Sequence, residues 1–215
     1  GFTIGISASN EMSSPTSEAE LIFVLSDEYK SIKVGTVIDK AKFNHIAAVY
    51  DRGATNKFLI HVNGQQVTSS NSSTIGGFNF VGTSLLIGSG SKHVFGTETF
   101  EPQQTLSGAM DEYRFFKSAR SDDEVSKYRK QELYAQSDLS LYFRFNEPSG
   151  TFSKDGIGNS SLVIDYSGNG MHTFVNNFDI SQRVTGAIAR TTDVMLAEDP
   201  ERSPVLFPSF DDVQS

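Results

Sequence analysis

Acid–base attack on a glycosidic bond needs two carboxylates aimed at one point. On a β-strand that means a spacing of i, i+2 or i+4, because successive side chains leave opposite faces. The sequence has no Glu-x-Asp-x-Glu strand. Asp111 and Glu112 are adjacent, so a strand would point them apart, and Asp122 and Glu124 read as the cap of a helix. No catalytic residue is predicted, and no enzyme of the glucanase type. On a strand from Met110 to Phe116, Asp111 shares a face with Ala109, Tyr113 and Phe115, which reads as the core side. Glu112 shares the other face with Arg114 and can pair with it. A carboxylate on an apolar face needs backbone N–H donors or a cation.

The four histidines are His45, His61, His93 and His172. None has a metal-ligand spacing such as H-x-x-x-H. His45 lies on a strand with Phe43, Ala47 and Val49 and reads as a hydrogen-bonded structural residue. His61 alternates against Phe58, Ile60 and Val62, which predicts exposure. Rings and polar loop groups suited to a sugar are His93, Phe95 and Phe100, with the Ser/Asn stretch 69–73. Asp165 with Asn169, and Asp155 with Asn159, read as turn residues chosen for backbone reasons. There is no Gly-x-Ser-x-Gly, P-loop or dinucleotide fingerprint.

Short apolar runs separated by Gly, Ser, Asn and Asp must position these groups. They are Leu21–Leu25, Ile46–Tyr50, Phe58–Val62, Gln65–Val67, Leu85–Ile87 and Met110–Phe116. Gly1–Ile4 is already strand-like. Asn63-Gly64 predicts a type I′ hairpin, since that turn needs two residues at positive φ. Several short strands at loop-sized spacing argue for a β-sandwich. One helix interrupts. Ser121 to Glu124 is a capping box, with acids at the positive end of the dipole. The helix is predicted from Asp122 to Ala135, with Val125, Tyr128 and Leu133 as its buried stripe.

Composition removes several classes of function. The 215 residues contain no Cys and no Trp, but 17 Phe, 7 Tyr and 18 Gly. Disulfides, thiolate metal sites and cysteine nucleophiles are excluded. The largest sugar-stacking ring is absent. A net charge of −8 with no basic stripe speaks against nucleic acid. No apolar run approaches a membrane span, so no membrane insertion is predicted. Acids concentrate at one end: Asp193, Glu198, Asp199, Glu201, Asp211 and Asp212 stand against the single base Arg202. Pro200, Pro204 and Pro208 fall in the same stretch, which reads as an extended arm. Val205, Leu206, Phe207 and Phe210 are apolar beads in it, suited to docking on a partner.

Five segments in order then fall into one pattern. They are Phe43-Asn44-His45-Ile46-Ala47-Ala48-Val49-Tyr50-Asp51, Phe58–Gly64, Leu86-Ile87-Gly88, Leu106–Phe116 and Ser121–Glu124. The order resembles the laminin G-like (concanavalin A-like lectin/glucanase) jelly roll, which reads "W-H-H-V-A…Y-D", "L-Y-V-D-G", "L-x-I-G", "G-x-I-D-E-V-R-I-Y", then a short helix. Phe43 replaces the usual Trp and Asn63 the usual Asp. A second resemblance follows. Leu139–Gly150 is similar to the opening strand of such a unit, with Phe143 where Trp is usual, and Asp165–His172 is similar to its "D-x-S-G-N-G-x-H".

The resemblance implies an all-β, antiparallel jelly-roll β-sandwich with one short helix and an extended C-terminal arm. Residues 1–137 would form a laminin G-like unit lacking its opening strands. Residues 138–182 would be either the opening strands of a second unit or the completion of the first sandwich. Residues 183–215 would be the acidic arm. In related jelly rolls the residue matching Asp111 helps hold a structural calcium, so Asp111 is the metal candidate beside the plain backbone-bonded reading. The implied function is a non-catalytic structural or adhesive module of a larger surface-displayed assembly, such as a phage decoration, tail or fibre protein. The alternative is a calcium-assisted, carbohydrate-binding module. Expected partners are protein subunits, or glycans in the alternative; the expected location is extracellular or the virion surface.

Overall fold

The computed structural model describes residues 1–7, 18–27, 30–40, 42–55, 57–71, 75, 85–88, 92–95, 98–101, 106, 108–145 and 162–175. The chain divides into two compact units. The larger comprises Gly1–Met110 with Phe115–Ser140, the smaller Asp111–Arg114 with Leu141–Ser215.

In the larger unit, β1 (Phe2–Ser7), β2 (Glu18–Ser26) and β3 (Ser31–Asp39) form one antiparallel sheet, and β4 (Ile46–Tyr50), β5 (Phe58–Val62) and β6 (Gln65–Ser70) form a second. Alternation places Leu21, Phe23, Leu25, Ile32, Val34 and Ile38 on one face of the first sheet. Phe58 and Ile60 come from the second sheet, and together these residues make a single core. The Phe23 and Phe58 rings stack at 4.4 Å across it. Ile75 is fully buried in the same core, and its backbone N–H donates to the Tyr50 hydroxyl at 3.0 Å. The run Leu21–Leu25 is buried on both faces, as an unbroken apolar strand should be. A β-sandwich is therefore what the apolar pattern builds.

The Asn63-Gly64 turn has φ of 55° and 84° and joins β5 to β6 directly, the type I′ geometry that the dipeptide predicts. A short hairpin follows, β7 (His93–Phe95) with β8 (Glu98–Phe100). The remaining elements are β9 (Tyr113–Phe116), α1 (Asp122–Tyr128), β10 (Leu139–Phe143), β11 (Leu162–Val163) and β12 (Thr173–Phe174). β9 neighbours β10, and β11 pairs with β12; the division between units runs through β9 and β10.

Four expectations need correction. Leu85–Ile87 is not a strand, and Leu85 and Leu86 are exposed. The last strand of the first set starts at Tyr113 rather than Met110, because Glu112 has φ of +55° and breaks the alternation. The helix stops at Tyr128 instead of Ala135. Its capping box forms as predicted: the Glu124 N–H donates to Ser121 Oγ, and the Ser121 N–H donates to Glu124 Oε2. Val125 is the one buried residue of this short helix, so its apolar stripe is narrow. His61 is the fourth.

Candidate functional site

The His61 side chain is fully buried, not exposed. Alternation correctly turns it away from the Phe58/Ile60 core, but α1 covers the other face of that sheet. His61 Nε2 lies 2.8 Å from Asp122 Oδ1 in the first turn of the helix. Gly64 lies close beneath the same helix: a Cβ there would stand 3.2 Å from the Ser126 Cα. Nothing in the spacing of residues 58–62 reports which face a helix sixty residues later will cover.

The ring candidates His93, Phe95 and Phe100 fall on the β7–β8 hairpin. Its register makes His93 and Phe100 cross-strand partners and sets Phe95 opposite Glu98. Lys92 and Glu101 form an exposed ion pair at 3.1 Å just beyond that end of the ladder, a contact of small energetic weight. Ser69 and Ser70 close β6, and Asn71 is exposed.

The smaller unit holds the acidic candidates. Asp111 precedes β9, where strand alternation no longer assigns it a face, and is half-buried. Burial pushes its carboxyl above the usual range and the neighbouring Glu112 charge adds to this. A backbone hydrogen bond at Glu112 and the charges of Arg144 and Arg114 oppose the shift. Glu112 pairs with Arg114 as predicted, at 2.6 Å. It also accepts the Tyr142 hydroxyl at 2.5 Å and stands 3.9 Å from Arg144 Nε. Burial pushes the Tyr113 phenol up to about 12.

These residues do not fit calcium. The cation takes six to eight oxygens. Here Glu112 is held by an arginine and a tyrosine, and the guanidinium groups of Arg114 and Arg144 lie close by. Among the described residues no group of three His, Cys, Asp or Glu could hold a metal.

Asp165 is buried and serves the turn, in keeping with the backbone reading of its motif. Oδ1 accepts the N–H groups of Tyr142 (3.0 Å) and Ser167 (2.9 Å). Oδ2 accepts Ser167 Oγ (2.8 Å) and the Met171 N–H (3.0 Å). The Asp165 N–H donates to His172 Nδ1 at 3.0 Å. Burial alone would raise this carboxyl, but the bonds from Ser167, Met171 and Tyr142 together hold it below its ordinary value. Asn169 bonds Ser167 Oγ through its side-chain amide at 3.0 Å.

The docking candidates Val205, Leu206, Phe207 and Phe210 lie outside the described residues, as do the arm as a whole and the Asp155/Asn159 turn. No helix among the described residues is long and apolar enough to cross a membrane.

Comparison with known proteins adds one finding. No curated protein and no solved structure matches the chain. A laminin G family model, described as the concanavalin A-like lectin/glucanases superfamily, matches residues 2–126. The match covers more than half of the 215 residues and spans the two sheets with their common core, the Asn-Gly hairpin and most of the capped helix. By sequence pattern, sheet pairing and family model together, the chain belongs to the laminin G-type, concanavalin A-like lectin/glucanases superfamily.

Proposed function

We propose that this chain is a non-catalytic structural or adhesive module of a larger, surface-displayed assembly. Laminin G-like domains are generally non-catalytic and typically extracellular. The observation that carries the reading is where the carboxylates are spent. Glu112, Glu124, Asp138 and Asp165 are each held by donors of the fold itself. A general acid and its partner must instead face a shared open point. The apolar beads of the acidic arm supply a docking element for a neighbouring protein subunit, in an extracellular or virion setting. The test is co-purification and light scattering of the full chain with its neighbouring gene products, beside a variant with Phe207→Asp and Phe210→Asp. Complexes that the variant no longer forms support the reading; hydrolysis of β-glucans by the wild-type chain overturns it.

One observation favours a second reading, a glycan-binding module: the hairpin register brings His93 and Phe100 side by side. A glycan array with Phe95→Ala and Phe100→Ala tests it. Reproducible binding lost in both variants supports this alternative, and absence of binding removes it.

A further inference from the structure

We propose that residues Asp111–Arg114 form a strand-seating site whose specificity residue is Glu112, and that the site selects an extended strand with Tyr and Arg at alternate positions. The occupant is the chain's own Leu141–Arg144. This goes beyond the assembly reading, because it concerns what chooses the strand at this place.

The backbone of Glu112 is in the left-handed region at φ +55°, which costs a residue with a Cβ and is kept where surrounding contacts enforce it. Those contacts are specific. Glu112 Oε2 accepts both the Tyr142 hydroxyl at 2.5 Å and Arg114 Nη2 at 2.6 Å, while Oε1 stands 3.9 Å from Arg144 Nε. One carboxylate thus meets position i and position i+2 of the seated strand.

Tyr142 is fully buried, so its hydroxyl must have a partner or lose solvation without return. Phenylalanine at this position would leave the carboxylate short of a donor. The Arg114 guanidinium lies 5.1 Å from the centre of the Tyr142 ring, a cation over an aromatic face. Between the two positions, the Phe143 ring stacks with Tyr113 at 6.1 Å. Backbone pairing alone tolerates almost any strand. The ring, the hydroxyl and the guanidinium are what this site reads.

The test is a double-mutant cycle in the full chain, with Glu112→Gln and Tyr142→Phe singly and together, read by urea unfolding. In the wild-type background Tyr142→Phe should reduce the folding equilibrium constant about tenfold. In the Glu112→Gln background the same change should cost less than about twofold, since the hydroxyl no longer meets a charge. Equal effects in the two backgrounds overturn the proposal. Should Glu112→Gln not fold, Tyr142→Phe alone is read by native-state hydrogen exchange. Exchange at the residue 142 and Ser167 amides should accelerate at least fivefold, with the Ile60 amide unchanged. Unchanged exchange at residue 142 also overturns it.

Discussion

Replacing Gly64 by alanine tests how α1 is seated, and Gly88 supplies an internal control. Both glycines have nearly the same backbone, φ +84° and +81°. A Cβ on Gly88 meets nothing within 4 Å, so Gly88→Ala carries the conformational cost alone. Left-handed backbone costs a residue with a Cβ about 1–2 kcal/mol, and the less flexible unfolded chain offsets roughly 0.4–1 of that. The net expectation is about 1 kcal/mol. Gly64→Ala carries the same cost and a steric one. The new Cβ would stand 2.7 Å from Arg129 Cδ, a flexible side chain that can swing aside. It would also stand 3.2 Å from Ser126 Cα, which belongs to the helix backbone and must move by a few tenths of an ångström. That displacement falls on a seven-residue helix with Val125 as its one buried residue. Overpacking of this kind costs about 1–3 kcal/mol, so Gly64→Ala should total about 2–4 kcal/mol. The assay is urea unfolding with an unchanged slope. At about 2 kcal/mol/M, the Gly64 variant should melt at least roughly half a molar below the Gly88 variant. Equal midpoints would refute the seating of α1 against the Asn-Gly turn.

Further outcomes follow from the same geometry. Phe58→Ala, which empties the centre of the core and removes the stack on Phe23, should cost about 3–5 kcal/mol in the same unfolding assay. Ser121→Ala should cost about 1 kcal/mol, and far-UV dichroism should report a small helical loss. The Asp165 carboxyl titrates below its unfolded value near 3.9. Its contribution is therefore fully present above about pH 4 and is lost as pH falls through the lower folded value. Thermal unfolding from pH 5 to pH 2 should show that loss, and Asp165→Asn should flatten the profile. Calcium added to metal-free protein should leave the melting temperature unchanged; a rise of several degrees would contradict the reading of the Asp111 surroundings.

Much of the fold was legible because it rests on local rules. Alternating and unbroken apolar runs identified β2, β4 and β5, Asn63-Gly64 identified the turn between β5 and β6, and Ser121–Glu124 identified the start of α1. β3 escaped notice because Gly35 and Thr36 interrupt its pattern. The end of α1 escaped because helix length depends on what the helix packs against, which no local residue states. The Asp165 loop was legible for a related reason: its hydrogen bonds to Ser167 and Met171 span two and six residues.

The sequence by itself determined that this chain is an all-β, laminin G-type module, since strand period, turn chemistry and capping are short-range and additive. Only the tertiary structure decided which polar groups are committed and to what. His61 and Asp122 are sixty-one residues apart, and Glu112 and Tyr142 thirty. Alternation assigns a side chain to a face, but whether that face meets water, a helix or an arginine depends on elements distant in sequence. Burial then fixes the chemistry: it pairs His61 with a helix carboxylate and commits Glu112 to Arg114 and the Tyr142 hydroxyl.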